Sequence, residues 1–142
     1  MPPTALRELI ETQAETLATE VLQVLITHPR TPSFRGVPRP EVTDRLQVLL
    51  RTLAGWIARP DEDAVRSAFE DWGRTRFKQN IPVSELAYAV LLAKDHLRRR
   101  ADAPARADAA ALEHGIGEFF DRALYYLVRG YEMQAATPPR GA

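Results

Sequence analysis

The stretch LEHGIGEFFDRALYYLVRGY, Leu112 to Tyr131, decides the fold. Leu112, Ile116, Phe119, Phe120, Ala123, Leu124, Leu127, Val128 and Tyr131 return every third or fourth residue, which clothes one broad side of an α-helix in apolar surface. The pattern predicts a helix from about Asp108 to Gln134. A stripe this wide covers more than one neighbour, as in a central helix or one that also serves a dimer interface.

Four more helices read outward from it. Ala101 to Ala107, with Pro104, reads as a turn. Before it, Leu86, Val90, Leu91 and Leu97 are expected to point inward from a helix capped by Ser84. That helix ends at Arg98-Arg99-Arg100, cations that favourably oppose its dipole. Asn80-Ile81-Pro82 separates it from a helix opened by Asp61, on which Val65, Phe69, Trp72, Gly73, Arg76 and Phe77 share a face. Glycine in mid-helix costs about 1 kcal/mol relative to alanine, so Gly73 implies either a backbone crossing close by or a tolerated kink.

Further back, Pro40 suits a first helical turn, and Val42, Leu46, Leu49, Leu50, Leu53 and Ile57 form one stripe that ends before Arg59-Pro60. The segment from His28 to Pro40 holds Pro29, Pro32, Gly36 and Pro38, and is expected to be a loop. Thr4 to Thr27, with Leu6, Ile10, Leu17, Val21 and Val24 along one side, is a long amphipathic helix. The fold class is therefore all-α: a single helical bundle of about five helices over residues 1–136, of a size that leaves a globin-like arrangement open. Residues 137–142, rich in Pro and Gly, read as a disordered tail or linker stub.

Composition narrows the function. With 142 residues and 45% apolar content, the chain can bury one ordinary core. Its 19 Lys and Arg balance 19 Asp and Glu, so it lacks the positive field that favours nucleic acid or anionic membrane, and neither is expected as a partner. The absence of cysteine removes disulfides, thiolate ligands and thiol nucleophiles. No basic region leads into an apolar run after Met1, and no stretch is apolar enough to span a bilayer, so the expected location is the cytoplasm.

His28, His96 and His114 show no i, i+4 pairing, and no glutamate is followed three residues on by histidine, so neither a zincin-like nor a di-iron helix is present. His114, Glu118 and Asp121 share one face, which reads as a solvated stripe before it reads as a metal site. Gly115-x-Gly117 has no phosphate-loop lysine, and Ser33 and Ser67 lie in no nucleophile-elbow setting. The arginines from Arg98 to Arg106 read as a solvated helix end, with an anion site as the alternative. No cofactor, metal or catalytic residue is expected. Aromatic side chains gather in the later helices, where core packing is the ordinary explanation. The alternative is a small-ligand or haem-like carrier, with a pocket among Trp72, Tyr88, His96 and Tyr125 and with His96 as the one candidate haem ligand.

One resemblance runs through the later helices. Phe69-Glu70-Asp71-Trp72-Gly73-Arg74-Thr75-Arg76, then Ile81-Pro82-Val83-Ser84-Glu85-Leu86 and Lys94-Asp95-His96-Leu97, resembles the helical N-terminal domain of RsbR-type co-antagonists of the RsbT kinase. Phe119 to Tyr126 and Val128 to Glu132 resemble the segment that closes such domains where they precede histidine kinases. The resemblance spans about Leu6 to Glu132. It implies a non-catalytic sensor or protein-interaction module in bacterial signal transduction and stress response, working as a homodimer and relaying a signal to a kinase or other output partner. No kinase or phosphorylatable output sequence follows before Ala142, which suits an excised sensor domain or a stand-alone relative.

Overall fold

The computed structural model describes residues 4–102 and 109–137. Five α-helices follow in order: α1 (Thr4–Thr27), α2 (Arg39–Ala58), α3 (Glu62–Lys78), α4 (Val83–Asp102) and α5 (Ala109–Ala136), with a short 3-10 turn at Pro32–Gly36 between α1 and α2. The fold is all-α. The expected turn after Ala101 lies outside the described residues from Ala103 onward, as do the tail positions after Thr137 and the side chains of Leu6 and Leu112.

Local chemistry explains the boundaries. Thr12 Oγ1 bonds back to Glu8 O at 2.7 Å, competing with the main-chain ladder, and the next residue, Gln13, leaves helical geometry at φ −130°, ψ 23°, so α1 kinks there. Pro38 and Pro40 begin α2, and Pro60 follows its end. Asp61 caps α3 by accepting from Ala64 N at 3.2 Å, beside the first-turn acids Glu62 and Asp63. At the other end of α3, Asn80 takes φ 61°, the left-handed conformation that asparagine tolerates better than most. Ile81 N then bonds Arg76 O and Asn80 N bonds Phe77 O, closing a Schellman motif whose apolar member, Ile81, is buried.

Two expectations about α4 are corrected. Its first residue is Val83 and its first turn closes from Leu86 N to Pro82 O, so Ser84 lies inside the helix, exposed, and not at the cap. Leu91 is 48% exposed, because Leu86, Ala89, Val90, Ala93 and Leu97 take the inward face and Leu91 is turned about 100° from Val90.

One apolar cluster draws on every helix, with Leu17 and Leu25, Leu50 and Leu53, Phe69, Leu86 and Leu97, and Phe119, Phe120 and Leu127 in its interior. At its centre α3 and α5 cross with their backbones in contact. A Cβ placed on Gly73 would stand 2.1 Å from Leu127 O, and one on Gly130 would stand 2.1 Å from Glu70 O. Gly73 is thus a crossing point, which was one of its two sequence readings, and Gly130 is its counterpart on the facing helix. Around the crossing, Phe69 and Phe119 meet edge to face at 5.8 Å, and Phe77 meets Tyr131 at 5.2 Å.

Candidate functional site

The four residues expected to line one pocket have different surroundings. Trp72 is buried on α3 beside Phe69 and lines a small apolar cleft in the core. Tyr88 lies against the segment after α1, its ring 5.0 Å from that of His28 and 5.4 Å from the Arg30 guanidinium. His96 Nε2 is 2.7 Å from Glu20 Oε1, across the α1–α4 interface. Tyr125 is 58% exposed on the outer side of α5, where its ring meets Tyr126. The structure does not bring these four together around a common space. Helical periodicity marks which side of a helix is apolar, but not which neighbour that side meets.

His96 is held by a carboxylate and does not line the cleft that contains Trp72. Among the described residues, no group of three or more His, Asp or Glu side chains is gathered closely enough to hold a metal ion. The arginine cluster is partnered where it is described: Arg98 with Glu113, Arg99 with Asp95 at 2.5 Å, and Arg100 with Glu20 at 3.1 Å and Gln13 Oε1 at 2.9 Å. Arg100 therefore grips α1 at its kink, and Glu20 receives both Arg100 and His96, fastening α4 to α1.

A second polar cluster is buried. Arg76 has no exposed side-chain surface, although α3 presents it on the same face as Phe69 and Trp72. Its Nη1 reaches Glu41 Oε1 on α2 at 3.3 Å and bonds Gln79 Oε1, while Gln79 Nε2 donates to the same Glu41 oxygen at 2.7 Å. The guanidinium also lies 5.8 Å from the Trp72 ring. Arg76 Nε and Nη2 and Trp72 Nε1 are buried and have no hydrogen-bond partner among the described residues. Burial accordingly pulls the Arg76 pKa below its ordinary value, with Glu41 opposing that shift. Sequence reading placed Arg76 on the core face but gave no sign of its partner, because Glu41 lies on another helix.

A third cluster joins α3 to α5 at the surface. Tyr126 Oη donates to Glu62 Oε2 at 2.7 Å, Arg122 Nε donates to Glu62 Oε1 at 2.9 Å, and the Arg122 guanidinium lies 5.2 Å over the buried Trp56 ring. Hydrogen bonds from Tyr126 and then Arg122 hold the Glu62 carboxyl below the usual carboxylate range. The same bond from Tyr126 raises the pKa of its phenol. None of the three clusters pairs a nucleophile with a base, and each ties one helix to another.

These observations define an all-helical module held by inter-helix polar clasps around a glycine crossing. The chain matches the model of the RsbT co-antagonist protein rsbRD N-terminal domain over residues 15–137 and belongs to that family. Among solved structures it is similar to the sporulation inhibitor pXO2-61 from Bacillus anthracis, with a TM-score of 0.75 and 19% identity over 92% of this chain and 98% of that one. At that identity the likeness concerns the fold. No curated protein matches. Among the described residues, no helix is long and apolar enough to cross a membrane.

Proposed function

We propose that this chain is a non-catalytic regulatory module of bacterial signal transduction that acts by protein contact in the cytoplasm. The observation that carries the reading is the family match, which spans residues 15–137, nearly the whole helical region. The solved relative being a sporulation inhibitor supports a regulatory role of the same broad kind. The polar clusters favour this reading over an enzyme, because their groups are spent on holding helices together. The module works as a homodimer that biases a kinase or another signalling partner, with α1 as the element that rearranges and the outer face of α5 as the surface that meets the partner. On α5, the exposed Tyr125 marks the outward face where such a contact would form.

The test is multi-angle light scattering of the purified chain over a dilution series, alone and with an RsbT-type kinase, for the wild type and for Tyr125→Arg. A dimer or a kinase complex weakened by Tyr125→Arg is expected. A wild-type chain that stays monomeric and leaves the kinase unbound and its activity unchanged would overturn the proposal.

A further inference from the structure

Phe34 is only 1% exposed, yet it belongs to a five-residue 3-10 turn whose flanking Pro32, Arg35 and Gly36 are all exposed. Its ring enters an apolar cleft to which every helix contributes: Leu25 from α1, Leu46 from α2, Trp72 from α3, Val90 from α4 and Leu127 from α5. The cavity that remains beside the ring is about 10 Å³ and its lining is apolar, so it offers a water no hydrogen-bond partner. One side chain from a surface strap thus completes the centre of the bundle.

The strap is held more firmly by other elements than by itself. Its internal backbone bonds are long: Thr31 N to His28 O at 3.2 Å, Phe34 N to Thr31 O at 3.3 Å and Val37 N to Phe34 O at 3.3 Å. A 3-10 turn has poor hydrogen-bond geometry, and here its N-cap residue, Thr31, makes no side-chain capping bond. The short bonds all lead outward. Ser33 N and Oγ donate to the two carboxylate oxygens of Glu85 at 2.7 and 2.6 Å, Thr31 Oγ1 donates to Leu25 O at 2.7 Å, and Arg35 Nε donates to Ile26 O at 2.8 Å. Thr31 and Arg35 fasten the strap to α1, the element it continues. Glu85 in the first turn of α4 is the carboxylate that receives the strap across the bundle, at the residue next to Phe34.

We infer that residues 31–37 form a latched plug, with Phe34 as the plug and the two-oxygen Ser33–Glu85 contact as the latch. Its release removes the hydrogen-bonded tie between the strap and the start of α4, leaving the ring contacts of Tyr88 with His28 and Arg30, and opens the point where all five helices meet. Both latch groups are only partly buried, so the bond can exchange with water, whereas Phe34 alone would have no handle at the surface. The plug gives the bundle a second conformation that differs in one short segment and leaves the α3–α5 crossing intact. This inference stands on the fold alone and does not depend on the oligomeric state or on any kinase.

The test is native-state hydrogen exchange on the full chain. Glu85→Ala removes both latch acceptors and should speed exchange of the amides from Thr31 to Val37 roughly tenfold or more, the loss expected for hydrogen bonds to a charged acceptor. Phe34→Leu, which keeps an apolar plug and a foldable core, should speed the same set of amides. In both variants the amides of Leu53 and Val65, around the opposite end of α2 and α3, should keep their wild-type rates. Acceleration confined to Ser33 would show that the latch does not hold the plug. Equal acceleration along the whole chain would show that Glu85 contributes only general stability. Either result overturns the inference.

Discussion

Replacing Gly73 with alanine puts the α3–α5 crossing to a direct test. The new methyl carbon would stand 2.1 Å from Leu127 O, 2.8 Å from Tyr131 N and 3.1 Å from Leu127 C, all of them backbone atoms of α5. No rotamer can relieve contacts with main chain, so α5 has to move away by about 1 Å, which loosens Phe69, Trp72 and Leu127 together. Alanine gains about 1 kcal/mol of helix propensity over glycine, while overpacking costs typically 1–3 kcal/mol and more where the neighbours cannot yield. We expect a net loss of about 2 kcal/mol, which in a domain of this size lowers Tm by about 4–8 °C. Gly55→Ala is the matched control, because nothing lies within 4 Å of its Cβ position. It should be more stable than wild type by about 0.5–1 kcal/mol. Both are read from urea midpoints at unchanged m-value. Gly130→Ala should behave like Gly73→Ala, and the double variant should lose less than the sum, since one separation of the helices relieves both clashes. A Gly73→Ala protein as stable as Gly55→Ala would refute the crossing.

Three further outcomes follow from the clusters and caps. Glu41→Ala leaves the buried Arg76 guanidinium with Gln79 as its one remaining side-chain acceptor and should cost about 1–3 kcal/mol, whereas Arg76→Met removes the charge with it and should cost less than Glu41→Ala; the comparison is made by chemical denaturation. The lowered pKa of Glu62 means that its contribution is present above the ordinary carboxylate range and is lost as pH falls through its folded pKa, while the raised pKa of Tyr126 means that its contribution is present below about pH 10 and is lost as pH rises through its folded pKa. Tyr126→Phe should therefore remove the alkaline limb and weaken the acid limb in a profile of Tm against pH. Asn80→Gly should be neutral or stabilising at φ 61°, and Asn80→Ala should cost about 1 kcal/mol, both read from thermal melts.

The helices were legible in the sequence because each carries a long stripe of period near 3.6 punctuated by proline, and the observed α2 and α3 fall within a residue or two of the reading. Gly73 was legible as an anomaly, since an unfavourable residue in an apolar face needs a packing reason. Phe34 was not legible. A lone aromatic residue among Pro29, Pro32, Gly36 and Pro38 has no periodicity, and only the three-dimensional path of the strap shows that it enters the core. Leu91 and Tyr125 erred in the opposite direction. Each adjoins residues that do face inward, Val90 and Leu124, and one step along a helix turns a side chain from core to solvent. The candidate pocket failed for the same reason on a larger scale, because it combined residues from three helices whose mutual orientation no single helix encodes.

The polar contacts divide the bundle into parts of unequal stiffness. At the α3–α5 crossing, backbone touches backbone with no side chain between, so any relative motion there meets atoms that cannot rotate away. The α1–α4 side is joined through Glu20, His96, Arg100, Gln13, Ser33 and Glu85, long or half-exposed groups whose bonds can be exchanged for water one at a time. A change at the kink of α1 or at the strap can therefore move α1 against α4 while the backbone contact between α3 and α5 is kept. The α3–α5 pair is thus the stiff part of the bundle, and α1 with the start of α4 is the part that can yield.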